Sequence, residues 1–470
     1  MSNEMTSQKT VLPESWGGEI LALLAIGIPM ALAQLIQFSP YIADTMMISR
    51  LGSAEVAAAA IGSVLYFLLW MLANGPISAV TPLVAQALGR NANEKRDVRR
   101  TVRMSVWACF LMFPLILVLL FLTEPIMIMA GQDPDVATLA QGYVLWLAPG
   151  LPFTLAVMSF RNFLAAIKRT IIPFLLIASA ALLNIFLNWI LIFGNWGAPS
   201  LGLNGAGIAS SIASIYSFFA FVIYIKWDVR ARSFDLFSNL FKPDWERMKQ
   251  ILKIGWPISI TVAFEGMLFN AGVLIAGAVG VYEQAGFQIV LNVASAAFMM
   301  PYGLSMAGAV RIGLARGAEN KPAERRASTT TILASVIAIS LFIIPVAFLP
   351  ESVAALYFDM TSLETRPDFK FVLLFLPLAA GFMFFDAVQV ACNQLLRGLA
   401  DVTWPMIITG ISYWVIGFPI AFYTALYTDI GAVGVWYGLT AGLIAAFIGL
   451  GIRLWLQLRQ PSPLSSSLRQ

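Results

Sequence analysis

The sequence predicts an all-α integral membrane protein with twelve transmembrane helices in two related halves of six. Three observations support this prediction. Of the 470 residues, 59% are hydrophobic and only 11% are charged, whereas an ordinary soluble domain carries about 25% charged residues. The apolar residues form runs long enough to cross a bilayer, which takes about 20 residues per helix. Short motifs of the first half also recur, in the same order, in the second half.

Twelve apolar runs are the expected transmembrane helices. They lie near 20–48, 54–82, 102–123, 137–160, 170–194, 204–226, 250–278, 284–311, 328–349, 370–394, 404–427 and 431–455. The first run is too long for the apolar core of a signal peptide and has no cleavage-like flank, so we expect a membrane helix there rather than a leader. Prolines within the runs predict kinks, which membrane helices tolerate.

The basic residues predict the orientation of this bundle. All of the 29 lysines and arginines except Arg50, Arg366 and Lys370 fall in the tails or in the links that follow even-numbered runs. Cytoplasmic loops carry such an excess of positive charge, so both termini are expected in the cytoplasm. The same bias accounts for the net charge of +4 without a nucleic-acid partner. The predicted organisation is a tail (1–19), a first lobe (20–227), a cytoplasmic linker (228–249), a second lobe (250–456) and a second tail (457–470).

An internal repeat relates the two halves. Gly27-Ile28-Pro29 in the first run corresponds to Gly255-Trp256-Pro257 in the seventh, and Pro173 and Pro405 open the fifth and eleventh runs. Because each half contains six runs, an even number, the two halves cross the membrane in the same orientation. Repeats of this kind are typical of secondary transporters, whose substrate and ion sites lie near the membrane midplane.

Three acidic residues lie well inside the predicted helices: Asp44, Glu265 and Asp386. A charge at the bilayer centre costs about 2.5–3.5 kcal/mol on insertion scales, so such residues are candidates for function. No lysine or arginine is predicted deep enough to pair with them. They must then be protonated, hydrated or neutralised by an exchangeable cation, which a cation-coupled carrier requires. A protonated carboxyl bonded to a neighbouring helix is the alternative.

Amide side chains accompany Asp44 in the first half. Gln34 and Gln37 share its helix face, and Asn184 and Asn188 are spaced four apart on the fifth run,. Carboxylate and amide oxygens suit Na⁺ or a hydrated proton path. These five residues are therefore the predicted cation site of the first lobe, with polar contacts between helices as the alternative.

A similar set is predicted for the second half. Gln288 and Asn292 belong to a polar stripe on the eighth run, and Asp386 and Gln389 to another on the tenth. Together with Glu265 they form the predicted site for the coupling cation and the substrate.

Several kinds of chemistry are excluded by residue type. The chain contains no histidine, which removes Ser-His-Asp triads and imidazole metal sites. The glycine-rich stretches at 202–207 and 431–434 lack the lysine and serine or threonine of a phosphate loop,. We therefore predict a non-enzymatic protein that uses no cofactor and is driven by an ion gradient.

At the level of motifs, the sequence resembles the multidrug and toxic compound extrusion (MATE) transporters, in particular their NorM-like bacterial branch. The most specific stretches run from Asp386-Ala387-Val388-Gln389 through Leu396-Arg397-Gly398 to 412–419. Glu265 after Pro257, and Asn184 with Asn188 ahead of Gly205-Ala206-Gly207, also look like that branch.

The resemblance implies two pseudo-symmetric six-helix lobes around a central cavity, working as a monomer by alternating access in the bacterial inner membrane. Cationic or zwitterionic amphipathic compounds would leave in exchange for Na⁺ or H⁺ entry. By position, Glu265 and Asp386 match the family's C-lobe cation site, and Asp44, Asn184 and Asn188 its N-lobe site.

Two positions depart from the family pattern. Asn188 stands where some members carry an aspartate, and Phe287 precedes Gln288 where many members carry a histidine. The first departure implies weaker Na⁺ binding in the first lobe, and the second a different substrate surface.

Two other functions remain open. A lipid-linked oligosaccharide flippase is the main alternative, but a cavity that holds pyrophosphate should be strongly cationic, whereas the predicted intramembrane charges are acidic. A membrane-embedded enzyme is less favoured still, because no nucleophile or metal cluster is evident.

Overall fold

The computed structural model describes residues 12–129, 131–355, 357 and 367–460. Within these ranges the chain forms helices and no strand. Twelve helices are long and apolar enough to cross a membrane, which confirms the predicted fold class. We label them α1 (Trp16–Ile48), α2 (Ser53–Arg90), α3 (Lys95–Phe121), α4 (Pro134–Ala166), α5 (Ile171–Phe193), α6 (Gly202–Trp227), α7 (Trp245–Val279), α8 (Val281–Gly317), α9 (Lys321–Phe348), α10 (Pro367–Gly398), α11 (Thr403–Tyr427) and α12 (Val433–Arg459). Arg366 and most of both predicted tails lie outside the described residues.

Several helices extend past the apolar runs into the basic links. Because a helix is held by backbone hydrogen bonds, hydropathy marks only the part that suits lipid. Side chains cap the starts of several helices: for example, Glu94 accepts from the Asp97 N–H at 3.2 Å before α3, and Asn320 from the Ala323 N–H at 3.0 Å before α9. Such caps satisfy N–H groups that have no partner within the helix.

Three helices are irregular within the membrane region. A turn at Ala79 interrupts α2, and a 3₁₀ turn at Ala148–Gly150 interrupts α4. In α11 a π-helical turn spans Ile411–Gly417, and the Phe418 N–H bonds back to the Tyr413 carbonyl. Such π turns occur frequently at functional sites.

The helices form two compact units. The N-terminal unit comprises Leu32–Leu88 and Ala92–Ser259, and the C-terminal unit comprises Gly89–Asn91, Ile260 onward and the chain up to Ala31. The start of α1 therefore belongs to the unit built mainly from the second half, and the start of α7 to the unit built mainly from the first. The lobe boundaries at 20–227 and 250–456 did not anticipate these two assignments.

Close helix contacts hold these two starts in their units. In the C-terminal unit, a Cβ on Gly303 of α8 would overlap the backbone of Ala31 in α1. In the N-terminal unit, a Cβ on Gly75 of α2 would overlap Gly255 and Ser259 of α7, and the Ser259 hydroxyl donates to the Leu72 carbonyl at 2.6 Å. Lipid gives little hydrophobic drive for helix association, so small residues that allow close approach stabilise such contacts.

A glycine strip on α12 positions the π turn of α11. Gly434, Gly438 and Gly442 are spaced four apart, and each lies directly against α11. A Cβ on Gly442 would stand 3.2 Å from the Cα of Gly417. This small-residue spacing is typical of tightly packed membrane helices, and it fixes the turn that carries Tyr413.

Candidate functional site

One face of α10 carries four buried polar side chains in the C-terminal unit. Asp386, Gln389, Asn393 and Arg397 are spaced three, four and four apart, so they share one helix face,. All four are buried. The prediction that Asp386 and Gln389 belong to one polar stripe agrees with this arrangement.

Many polar atoms on this face have no hydrogen-bond partner among the described residues. They are Asp386 Oδ1, both amide atoms of Gln389, Asn393 Oδ1 and Arg397 Nε. Buried polar atoms are nearly always paired with protein or ordered water, and each exception needs an explanation. Carboxylate and amide oxygens aligned along one face can coordinate a monovalent cation or hold a chain of water molecules.

Glu265 on α7 faces the same region. It interacts electrostatically with both Asp386 and Arg397. The expectation that no lysine or arginine lies near the intramembrane acids is therefore wrong for this unit. Hydropathy ended the tenth run at 394 and assigned Arg397 to a link, whereas α10 continues to Gly398 and places Arg397 on the face that carries Asp386.

Tyr413, on the π turn of α11, belongs to the same group as Glu265, Asp386 and Arg397, which we call the cluster. Its side chain is fully buried, its hydroxyl has no hydrogen-bond partner in the described part of the chain, and it interacts electrostatically with Glu265, Asp386 and Arg397. In the sequence, Tyr413 stands out only as part of the motif at 412–419. Its position depends on the π turn, which rotates the helix face and has no signal in the hydropathy pattern.

The two amides predicted on α8 do not join this cluster directly. Gln288 is exposed and Asn292 is half-buried, and among the described residues neither is hydrogen-bonded to Glu265 or Asp386. The buried face of α8 at this level is apolar, with Phe287 packed against Trp436 at a ring distance of 4.9 Å. Contact of Gln288 and Asn292 with a substrate stays a prediction.

The N-terminal unit brings together three of the five residues predicted there. The Asn188 amide nitrogen donates to Asp44 Oδ1 and, at 3.3 Å, to Asn184 Oδ1. Asn184 in turn donates to the Ser210 hydroxyl at 3.0 Å. Asp44 is thus joined to α5 by a short amide chain in which Asn188 donates, and Asn188 Oδ1 is buried with no partner among the described residues.

Gln34 and Gln37 bind a different cation. Both side-chain oxygens accept from Arg161 Nη1, at 2.8 and 3.0 Å. The prediction that they belong to the Asp44 site is not supported, because this guanidinium group already occupies their oxygens. Arg161 had been assigned to a link, but α4 extends to Ala166 and buries it.

The chain is similar to known proteins in both sequence and fold. The sequence profile of the family described as MatE matches residues 29–190 and 257–423. A probable multidrug resistance protein NorM of Mesorhizobium japonicum is 34% identical, covering 96% of this chain and 97% of its own. One of Rhizobium meliloti is 36% identical, covering 95% and 96%. The outward-facing structure of a multidrug resistance MATE family transporter superimposes with a TM-score of 0.84 at 20% identity, covering 94% of this chain and 96% of its own.

Proposed function

Since the chain belongs to the MATE family and is a multidrug efflux transporter of the NorM-like branch, we propose that it exports cationic or zwitterionic amphipathic compounds in exchange for Na⁺. The coupling ion binds at the acids of the C-terminal unit. The protein lies in the bacterial inner membrane with both termini in the cytoplasm, following the distribution of its basic residues.

The row of unpartnered oxygens on α10 carries this proposal. Asp386, Gln389 and Asn393 each present a buried oxygen with no partner among the described residues. One carboxylate and two amide oxygens form a hard-oxygen set of the kind that alkali and alkaline-earth cations prefer. A proton needs only a carboxylate, so the two additional amide oxygens favour Na⁺ over H⁺.

Charge counting supports exchange of one cation at a time. Glu265 and Asp386 carry two negative charges when ionised, and Arg397 carries one positive charge within electrostatic range of Glu265. The cluster therefore has a net charge of minus one, which a single Na⁺ or a single cationic group of a drug can neutralise. A second bound cation would leave an excess charge in a medium of low dielectric constant, which is costly.

Competition for this charge gives a coupling mechanism. A drug cation that enters from the cytoplasmic side neutralises the ionised acids. Na⁺ arriving from outside then takes the place of the drug, and the drug is released. Each elementary charge that crosses 100 mV is worth about 2.3 kcal/mol. A one-for-one exchange of monovalent cations moves no net charge, so the Na⁺ concentration gradient alone drives it.

Substitution of the acids tests this function. We expect Asp386→Asn and Glu265→Gln each to abolish resistance to ethidium at normal membrane levels, because each removes a charge that both ions must share. Asp429→Asn is the matched control, since Asp429 is exposed on the segment between α11 and α12. Resistance retained by both cluster variants would refute the shared site.

A further inference from the structure

A cavity lies in the N-terminal unit. Its volume is about 270 Å³, just below the roughly 300–1,000 Å³ found for ligand sites. It lies between α3, α4 and α6 and the segment 236–240, and its walls are mainly apolar. Phe160, Phe218, Val106 and Val222 form much of this surface.

Only two of the residues that line this cavity are charged, and both are cations: Arg103 and Lys226. Arg103 is buried; its Nη1 donates to the Asn239 carbonyl at 3.1 Å, and its Nε has no partner among the described residues. Lys226 is exposed, with its Nζ 5.6 Å from the ring centre of Phe237.

Two acids near the cavity are each paired with another arginine. Asp244 interacts electrostatically with Arg103, but its carboxylate is hydrogen-bonded twice by Arg100. Asp235 is 64% exposed and pairs with Arg99 at 3.5 Å. The cavity therefore combines an apolar interior with excess positive charge.

The surrounding side chains place the cavity at the level of the membrane surface. Trp227 follows Lys226 and is 81% exposed, and Phe241, just past the lining segment, is 86% exposed. Exposed aromatic side chains next to basic residues are typical of the cytoplasmic membrane interface. An apolar slot that opens beside cations at this level matches an anionic lipid, whose headgroup meets basic residues and whose chain is apolar.

We propose that this cavity binds an anionic phospholipid of the cytoplasmic leaflet, with its phosphate between Lys226 and Arg103 and part of one acyl chain against Phe160, Phe218 and Val222. The cavity is unsuited to the cationic compounds that we propose are exported, because its own charge is positive. The site proposed for those compounds is negatively charged. The lipid would hold segment 236–240 against α3, where the Trp107 indole already donates to the Leu240 carbonyl at 2.8 Å.

Two pairs of variants separate this site from lipid bound loosely around the protein. Lys226→Gln removes the accessible cation, and Arg232→Gln is its control, because Arg232 is an exposed cation outside the cavity lining. Val222→Phe fills the apolar part, and Ile223→Phe is its control, since Ile223 follows it on α6 and is 49% exposed.

Native mass spectrometry of the full-length protein in neutral detergent, with added phosphatidylglycerol or phosphatidylcholine, measures the bound lipid. We expect one phosphatidylglycerol to be retained at least fivefold more than phosphatidylcholine. Lys226→Gln and Val222→Phe should each reduce that retention at least fivefold, while both controls keep it.

Three results would overturn the proposal. One is equal retention of the two lipids, and another is equal retention of phosphatidylglycerol by cavity and control variants. The third is displacement of the lipid by millimolar inorganic phosphate, which would mean that only an anion binds and that the apolar part is unused. Because Lys226→Gln alters an exposed side chain, its result stands even where Val222→Phe fails to fold.

Discussion

Neutralising Glu19 should destabilise the C-terminal unit strongly. Glu19 on α1 accepts from Arg311 Nε at 2.8 Å and from Nη2 at 2.6 Å, and the side chains of Arg311 and Glu19 are 0% and 1% exposed. Arg311 Nη1 has no further partner in the described part of the chain. Glu19→Gln therefore leaves a buried guanidinium without its counter-charge.

The expected loss of unfolding free energy follows from the burial of this ion pair. Breaking a buried ion pair from one side costs about 3–5 kcal/mol, whereas replacing both partners with apolar residues of similar size is often neutral. With an unfolding entropy near 2.1 cal/mol/K per residue, this cost lowers the melting temperature by about 3–5 °C for a chain of this length. The double variant Glu19→Met/Arg311→Met should recover most of the loss.

The two cysteines provide the assay. Cys109 and Cys392 are both free and buried, and they belong to the N-terminal and C-terminal units respectively. In a Cys109→Ala background, a thiol-reactive dye reports heat-induced exposure of Cys392 alone. Asp429→Asn, which removes an exposed charge in the same unit, should change the free energy of unfolding by less than about 1 kcal/mol. If Glu19→Gln lowers the melting temperature no further than Asp429→Asn does, or if the double variant is as unstable as the single one, the buried pair does not hold α1 to α8.

Two further substitutions test the N-terminal unit. Asp244→Asn is followed by calorimetry over a range of pH, because a protonated thiol does not react with the dye at low pH, and Gly75→Ala is followed by the dye assay with Cys392 replaced instead. The hydrogen bond from Arg100 lowers the pKa of Asp244 to about 2, so its stabilising effect is complete above the unfolded pKa near 3.9 and is lost as the pH falls toward 2. Asp244→Asn should therefore lower the melting temperature at pH 7 and converge with the parent near pH 2, and a gap that stays constant with pH would contradict this. Gly75→Ala places a Cβ into the backbone of α7 and should cost up to about 3 kcal/mol. Gly381→Ala, which lies in the C-terminal unit with open space around it and is followed through Cys392, should be tolerated. A melting temperature of Gly75→Ala equal to that of the parent would show that α2 and α7 can separate freely.

The sequence alone was sufficient to predict the number and approximate position of the transmembrane helices, because hydropathy reports directly which segments suit lipid. It also paired Asn184 with Asn188, whose i,i+4 spacing on α5 lets the two amides hydrogen-bond,, while a cation site at these residues stays a prediction. The repeated Gly-x-Pro motif has a structural basis in the close contacts of Gly27 and Gly255: a Cβ on Gly255 would overlap the backbone of Pro76, and one on Gly27 would lie 2.8 Å from Leu304.

The charged partners of the site were beyond such reasoning. Hydropathy windows assign an arginine near the end of a run to a link, so Arg161, Arg311 and Arg397 were expected in the cytoplasm. Each instead continues a helix and is buried there. Which polar groups an arginine occupies depends on the packing of helices distant in sequence, and Gln34 and Gln37 show the consequence.

The most direct test of the coupling mechanism is ethidium efflux from proteoliposomes with a Na⁺ gradient and a pH gradient imposed separately. The proposed site predicts efflux driven by inward Na⁺ alone, insensitive to an added membrane potential and abolished by Asp386→Asn. Efflux that follows the pH gradient and ignores Na⁺ would contradict the account, because the amide oxygens of Gln389 and Asn393 would then have no ion to coordinate.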